Sequence, residues 1–297
     1  MQDEIALIPD RLRGTLGLKL EHNSLTGFEH QPSARLLWTP SNRQSFWASV
    51  GRAVRIPNRT DDGALFNIQY IASGPGLPLP LVVRAVGNPE VQSETLIAWE
   101  AGWRFQMQSQ FSTDLSLFYN NYDHLILGVP NAANTFVETT SGPMHLVTPV
   151  SLSNTASAHS LGAELAFVWQ PAEGLRFAPF YSYLKIDAWL DQPGTRALDS
   201  LTSSAPKHQA GLRTSVDLPG KTKLDLNLRW IGAVPAYEVH AYVEADIRLA
   251  YEIRTGLELI VIGQNLLAPR HNEMGPQTIE PRYELERGVQ LKLVSKF

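Results

Sequence analysis

Hydrophobic and polar residues alternate one by one along most of this chain. Leu12, Leu16, Leu18 and Leu20 occupy even positions, against Arg13, Thr15, Lys19 and Glu21 on odd ones. A strand sends successive side chains to opposite faces, so a period of two predicts strands with one apolar face; a helix would repeat every 3.6 residues. The same alternation places Ile97, Trp99, Ala101, Trp103 and Phe105 against Glu100, Gly102 and Arg104. It recurs at Leu161, Ala163, Leu165, Phe167 and Trp169, and at Leu224, Leu226, Leu228 and Trp230 opposite Asp225, Asn227 and Arg229. Val243, Ala245, Ile247, Leu249 and Tyr251 oppose Glu244, Asp246 and Arg248, and the chain closes on Val289, Leu291, Leu293 and Phe297. Counting these segments predicts about thirteen strands and no helix.

The connections are sorted by length. Pro9-Asp10-Arg11, Thr39 to Asn42, Pro171 to Gly174, Leu218 to Lys221 and Arg254 to Gly256 are tight turns. Between them lie predicted loops at 56–93 (with a small hairpin near Leu81 to Val86), 126–157, 191–206, 232–240 and 267–282; Ser24 to Gly27 is the short exception. Short turns on one rim and long loops on the other is the pattern of an outer-membrane β-barrel. Aromatics near strand ends (Trp99, Trp103, Phe105, Trp169, Trp230, Tyr251) suit the girdles at its two lipid interfaces, and mid-strand Asp225, Arg229, Glu244, Asp246 and Arg248 suit a wet lumen. The expected fold class is therefore all-β: an antiparallel up-and-down transmembrane barrel.

Composition narrows this only slightly. Across 297 residues, a hydrophobic content of 43% fits a soluble domain or a barrel whose lumenal half is polar. No apolar run approaches the roughly 20 residues of a membrane-spanning helix. Zero cysteines exclude disulfides and thiolate metal sites, and a net charge of −4 gives no reason to expect nucleic acid as a partner. Met1-Gln2-Asp3-Glu4 resembles no signal peptide, and the alternation is already running at Ile5 and Leu7. A truncated barrel is the expectation. A passive porin-type barrel and a soluble all-β binding module remain as competing readings.

Several stretches resemble the barrel of TonB-dependent outer-membrane receptors. They are Pro32 to Pro40 followed by Phe46 to Pro57, Leu115 to Leu125, Gly263 to Leu267 with Pro269-Arg270-His271, and the closing strand from Arg287-Gly288 to Phe297. The resemblance implies a C-terminal portion, about thirteen of twenty-two strands, occupying 1–297 as one partial barrel domain with the N-terminal plug absent. It implies an integral protein of the cell outer membrane, in contact with outer-membrane lipid, that serves TonB-coupled uptake of a scarce ligand. That ligand would be a ferric siderophore, cobalamin or similar chelate. TonB would act only through the plug, so the chain alone would be inactive.

Nothing in the sequence forms a catalytic constellation, and neither an enzyme nor a cofactor is expected. His22 and His30 flank one turn without metal-ligand spacing, and no metal site is expected. Candidate ligand contacts lie on or near the predicted exterior loops: Arg84, Trp189, Tyr237, His240 and Tyr242. Arg52 and Arg55 stand at the exterior end of their strand, either attracting an anionic ligand or pairing with lumenal carboxylates. The resemblance makes Phe297, with Leu293 and Leu291 on the same face, a signal read by the barrel-assembly machinery. In the full-length parent, Phe297→Ala is expected to lower surface-exposed protein in outer-membrane fractions far more than ligand affinity; unchanged surface levels would contradict the role.

Overall fold

The computed structural model describes residues 1–130, 132–140, 142–191, 198–273 and 284–296. In chain order these form β1 (Gln2–Ile8), β2 (Leu12–Asn23), β3 (Gly27–Ser41), β4 (Gln44–Arg55), the one-turn helix α1 (Arg59–Gly63), β5 (Leu65–Ile71) and β6 (Leu81–Val86). There follow β7 (Glu94–Gln108), β8 (Phe111–Pro130), β9 (Phe136–Glu138), β10 (His145–Ala172), β11 (Leu175–Leu190), α2 (Asp199–Thr202) and β12 (His208–Leu218). The last elements are β13 (Thr222–Ile231), β14 (Tyr242–Arg254), β15 (Leu257–Gln264), β16 (Arg270–Asn272), β17 (Glu284–Glu286) and β18 (Gly288–Ser295).

Thirteen strands make one antiparallel meander, in the order β1-β2-β3-β4-β7-β8-β10-β11-β12-β13-β14-β15-β18. Every second connection is a tight turn, and the backbone there needs unusual angles. Asp10, Gly174, Gly220, Lys221 and Gly256 all have positive φ, between 56° and 82°. Such conformations turn two strands directly back on each other. The intervening connections are long apart from Ser24 to Thr26, so one rim is trimmed and the other elaborated.

Register gives the wall two chemically distinct faces. On one, Leu224 lies opposite Leu249, Leu249 opposite Val261, and Val261 opposite Leu291. Leu16, Leu36, Trp99, Leu117, Ile247, Leu249, Leu291 and Leu293 of this face are exposed. A continuous exposed apolar belt belongs against hydrocarbon. Aromatics edge it at the tight-turn rim. Trp38 stacks on Phe46 at 5.2 Å, Phe46 on Trp103 at 6.3 Å, and Trp169 on Phe177 at 5.6 Å. Tyr119, His159 and Trp189 form a second cluster near the other rim, completing two girdles about the belt.

The opposite face is polar and holds cross-strand pairs in direct register. Arg229 faces Glu244, Asn227 faces Asp246, and Asp225 faces Arg248 across β13 and β14. The second pair is hydrogen-bonded at 3.2 Å and the third at 3.1 Å. Arg104 and Asp114 make the same kind of pair across β7 and β8 at 2.6 Å. Three aromatic rings on this face each lie over a glycine directly opposite: Trp47 over Gly102, Phe118 over Gly162 and Phe180 over Gly211. A Cβ on Gly162 would come within 2.3 Å of Phe118 Cζ and 2.4 Å of the Tyr183 carbonyl oxygen. The ring therefore takes the space that a side chain would need.

The exterior departs from the sequence-based expectation in two ways. First, the predicted loop over 126–157 is largely strand. β8 runs to Pro130 and β10 begins at His145, with pairing continued from Leu125↔Ala156 to Pro130↔Val150. Above the membrane water or packed protein meets both faces, so these residues lose the amphipathic period by which a strand is read. Second, the 56–93 and 191–206 segments contain the helical turns α1 and α2, and the 267–282 segment contains the short strand β16. Asn58 accepts hydrogen bonds from the Thr60 and Asp61 amides, and Asp61 accepts one from the Asn58 amide in return. This reciprocal cap stabilises a single turn too short to show helical periodicity. The hairpin expected near Leu81 to Val86 is β6 paired with β5. β6 also adds in parallel to β10, and β9 adds to β10 in antiparallel fashion. Val82, Ala85, Val147 and Val150 are buried there, in a small core outside the membrane wall.

Gly162→Ala is expected to destabilise the wall by about 1–3 kcal/mol, as overpacking does. Gly63→Ala, where an added Cβ meets nothing within 4 Å, should be near neutral. Urea midpoints of the two variants in detergent would check this.

Candidate functional site

The elaborated rim is built around one ion pair. Arg84 on β6 donates to both carboxylate oxygens of Glu138 on β9, at 2.9 and 2.7 Å, and to Asn67 Oδ1 on β5 at 2.9 Å. His145 Nε2, at the start of β10, lies 3.2 Å from Glu138. The bidentate bond to Glu138 raises the Arg84 pKa above its ordinary value. Beside this cluster is an open cleft of about 620 Å³, lined by Leu65, Phe66, Tyr70 and Pro80 as well as Arg84 and His145. Phe66 and Tyr70 are exposed at it. Exposed rings beside a polar cluster can take up a flat molecule with both apolar and polar groups.

A second polar cluster lies at the exterior end of the lumenal face. Tyr242 and Glu244 on β14 point there by register, since Val243 between them faces Trp230 on the apolar side. The connection from β15 to β18 folds back over them. Leu266 N donates to the Ala245 carbonyl at 3.0 Å, and Asn265 Nδ2 to the Glu286 carbonyl at 3.3 Å. This brings His271 on β16 to 2.6 Å from Glu244, with Arg229 on the other carboxylate oxygen of Glu244. Glu244 is 2% exposed.

The seven candidate contacts separate by face. Arg55 makes a bidentate pair with Glu94 and lies 3.6 Å from Asp61, tying α1 to the wall. Arg84 holds the exterior sheet as above. Tyr237 ends a short 3-10 turn (Pro235–Tyr237), and exposed His240 follows it in the β13–β14 connection. Tyr242 stands on the lumenal face, its hydroxyl 3.3 Å from Glu273 and its ring 4.5 Å from that of His271. Two others stand elsewhere. Arg52 is opposite Ile97 and shares the apolar face, donating to the His30 carbonyl. Trp189 is opposite Ser157, two residues from the Asp187↔His159 pair, and packs edge-on against His159 at 5.0 Å. That is the membrane-facing girdle. Because a strand inverts its side chains at every residue, proximity to a loop did not determine the face.

Leu291 and Leu293 lie exposed on the apolar face of β18, while Phe297 lies outside the described residues. Glu138, His145, Glu244 and His271 were not among the candidates. The two acid–histidine pairs join residues from different strands, and no local spacing marks them. The only sequence signal for Glu244 was its place on the polar side of a strand.

Residues 1–266 match the model of the TonB dependent receptor-like beta-barrel family. The chain belongs to that family. It is an integral β-barrel chain of the outer membrane. Over its whole length it superposes on the siderophore receptor PirA of Acinetobacter baumannii with a TM-score of 0.76 at 17% identity, covering 45% of that chain. The ferric enterobactin receptor PfeA of Pseudomonas aeruginosa, solved as a mutant with enterobactin, gives a TM-score of 0.72 at 19% identity, again over all of this chain and 44% of that one. An iron-regulated outer membrane virulence protein of Vibrio cholerae is 27% identical over 190 residues, 62% of this chain and 26% of the relative. This TonB-dependent receptor barrel chain thus spans less than half the length of each of these relatives.

Proposed function

We propose that this chain forms the C-terminal wall and exterior mouth of a receptor that imports a scarce ferric chelate, of the siderophore class, with energy supplied through TonB. The observation that carries this is the family match over 1–266 on a meander whose long loops all rise from one rim. The family match favours this reading over a passive porin. The exposed apolar belt between two aromatic girdles favours a membrane wall over a soluble binding module. That the named relatives include siderophore receptors and an iron-regulated protein supports an iron chelate as ligand.

In this proposal residues 1–297 are one barrel domain, and the ligand is met by the exterior sheet and upper lumen. Phe66, Tyr70 and Arg84 receive it at the cleft; Arg55, Tyr237, His240 and Tyr242 line the way in. Arg52 and Trp189 anchor the rim at the lipid interface. TonB acts on a plug supplied by the rest of the receptor, so these 297 residues alone do not transport. The barrel-assembly machinery inserts the wall through its last strand.

Uptake of a radio-iron-loaded catecholate siderophore by receptor-deficient cells tests this. Cells carrying the full-length parent should accumulate iron only when TonB is present, and cells carrying residues 1–297 alone should not. TonB-independent accumulation, or accumulation with the 297-residue chain, would contradict the proposal.

A further inference from the structure

Four side chains converge where β16 folds onto the exterior end of β14. The His271 Nε2 atom lies 2.6 Å from Glu244 Oε1 and 3.4 Å from Glu273 Oε1. The Tyr242 hydroxyl is 3.3 Å from the same Glu273 oxygen. One ligand atom from each of Glu244, His271 and Glu273 falls within 4.8 Å of the others. We infer that Glu244, His271 and Glu273 form a binding site for a divalent transition cation of the zinc type, with Tyr242 beside the fourth position. This goes beyond the import reading and does not depend on which ligand the receptor carries.

Three observations support a cation here. The first is geometric. Metal–ligand bonds of about 2.0–2.1 Å make a tetrahedron with edges of about 3.3 Å. The His271–Glu273 and Tyr242–Glu273 separations already match that edge. The His271–Glu244 separation of 2.6 Å is shorter than that edge by about 0.7 Å on the same tetrahedral geometry, so Glu244 would draw back. The second is charge. Glu244 is almost wholly buried, and its second oxygen is occupied by Arg229. Asp246 and Glu273 lie near enough to act electrostatically on Glu244, whose bonded guanidinium is that of Arg229. A divalent ion would neutralise the remaining negative charge. The third is orientation. The Tyr242 ring packs 4.5 Å from the imidazole, fixing Nε2 towards both carboxylates. One imidazole with carboxylates and a phenol suits zinc, manganese or ferrous ions better than calcium or magnesium, which prefer all-oxygen shells.

The bland alternative is an ion pair between a protonated His271 and Glu244 that only staples the loop. Titrating zinc into the detergent-purified protein, with calcium in parallel, separates the two. The unmodified protein should bind about one equivalent of zinc and prefer it to calcium, and a zinc K-edge spectrum should fit one imidazole among oxygen neighbours. His271→Ala and Glu273→Gln should each weaken zinc binding at least about tenfold, the scale on which even indirect partners of a metal act. The absorption spectrum needs no variant, so a folding defect in either leaves the test intact. Absence of stoichiometric zinc, a calcium preference, two or more imidazoles in the spectrum, or unchanged binding in folded variants would overturn the site.

Discussion

Hydrocarbon offers no hydrogen bonds, so every backbone amide and carbonyl inside a membrane must find its partner within the protein. The rest of this structure follows from that constraint. It excludes irregular segments from the wall and confines them to the rims, as the alternation of tight turns and long connections shows. It fixes register, because a slip of one residue would turn Leu249 inward and Arg248 towards lipid. It also leaves two demands open. Among the described residues, β1 pairs only with β2 and β18 only with β15 within the meander, so each offers a free edge. An unpaired edge in lipid costs several kcal/mol for each orphaned group. Satisfying these edges in a membrane requires a hydrogen-bonding partner for each of them.

With the backbone satisfied, side chains divide the labour between faces. Aliphatic residues and aromatic girdles hold the apolar face at a fixed depth. The lumenal face is held by paired charges and by rings over glycines, both of which act between directly opposed residues. Beyond the membrane the same strands leave this regime. β10 continues upward and recruits β6 and β9, and burial of Val82, Ala85, Val147 and Val150 replaces lipid as the source of order. The Arg84–Glu138–His145 cluster locks that small sheet, while Glu244 and His271 lock the returning β15–β18 connection against the lumen.

The wall was legible in the sequence because one physical rule, alternation between lipid and water, is written into each strand separately. Leu224 to Trp230 and Val243 to Tyr251 announce themselves without reference to their neighbours. The exterior was less legible for the same reason. β9 and the upper part of β10 have no lipid on either side, so Phe136–Glu138 and His145–Ser151 read as loop. The site residues were the least legible. Trp189, at the end of its strand before a long loop, looked like a ligand contact but faces the girdle, whereas Glu244 looked like one of several lumenal charges and is nearly buried. It meets His271, twenty-seven residues later in a different element, and no local pattern encodes that meeting.

The central claim is that one face of this meander lies in lipid and the other in water. The absence of cysteine makes single-cysteine labelling clean at every position. Spin labels placed one at a time from Val243 to Leu249, in protein reconstituted into liposomes, can be read for collision with oxygen and with a water-soluble nickel chelate. Leaving aside the buried Glu244 and Ala245, the account predicts alternation, with oxygen favoured at Val243, Ile247 and Leu249 and the chelate favoured at Asp246 and Arg248. Equal access of the chelate to both sets of positions would contradict it.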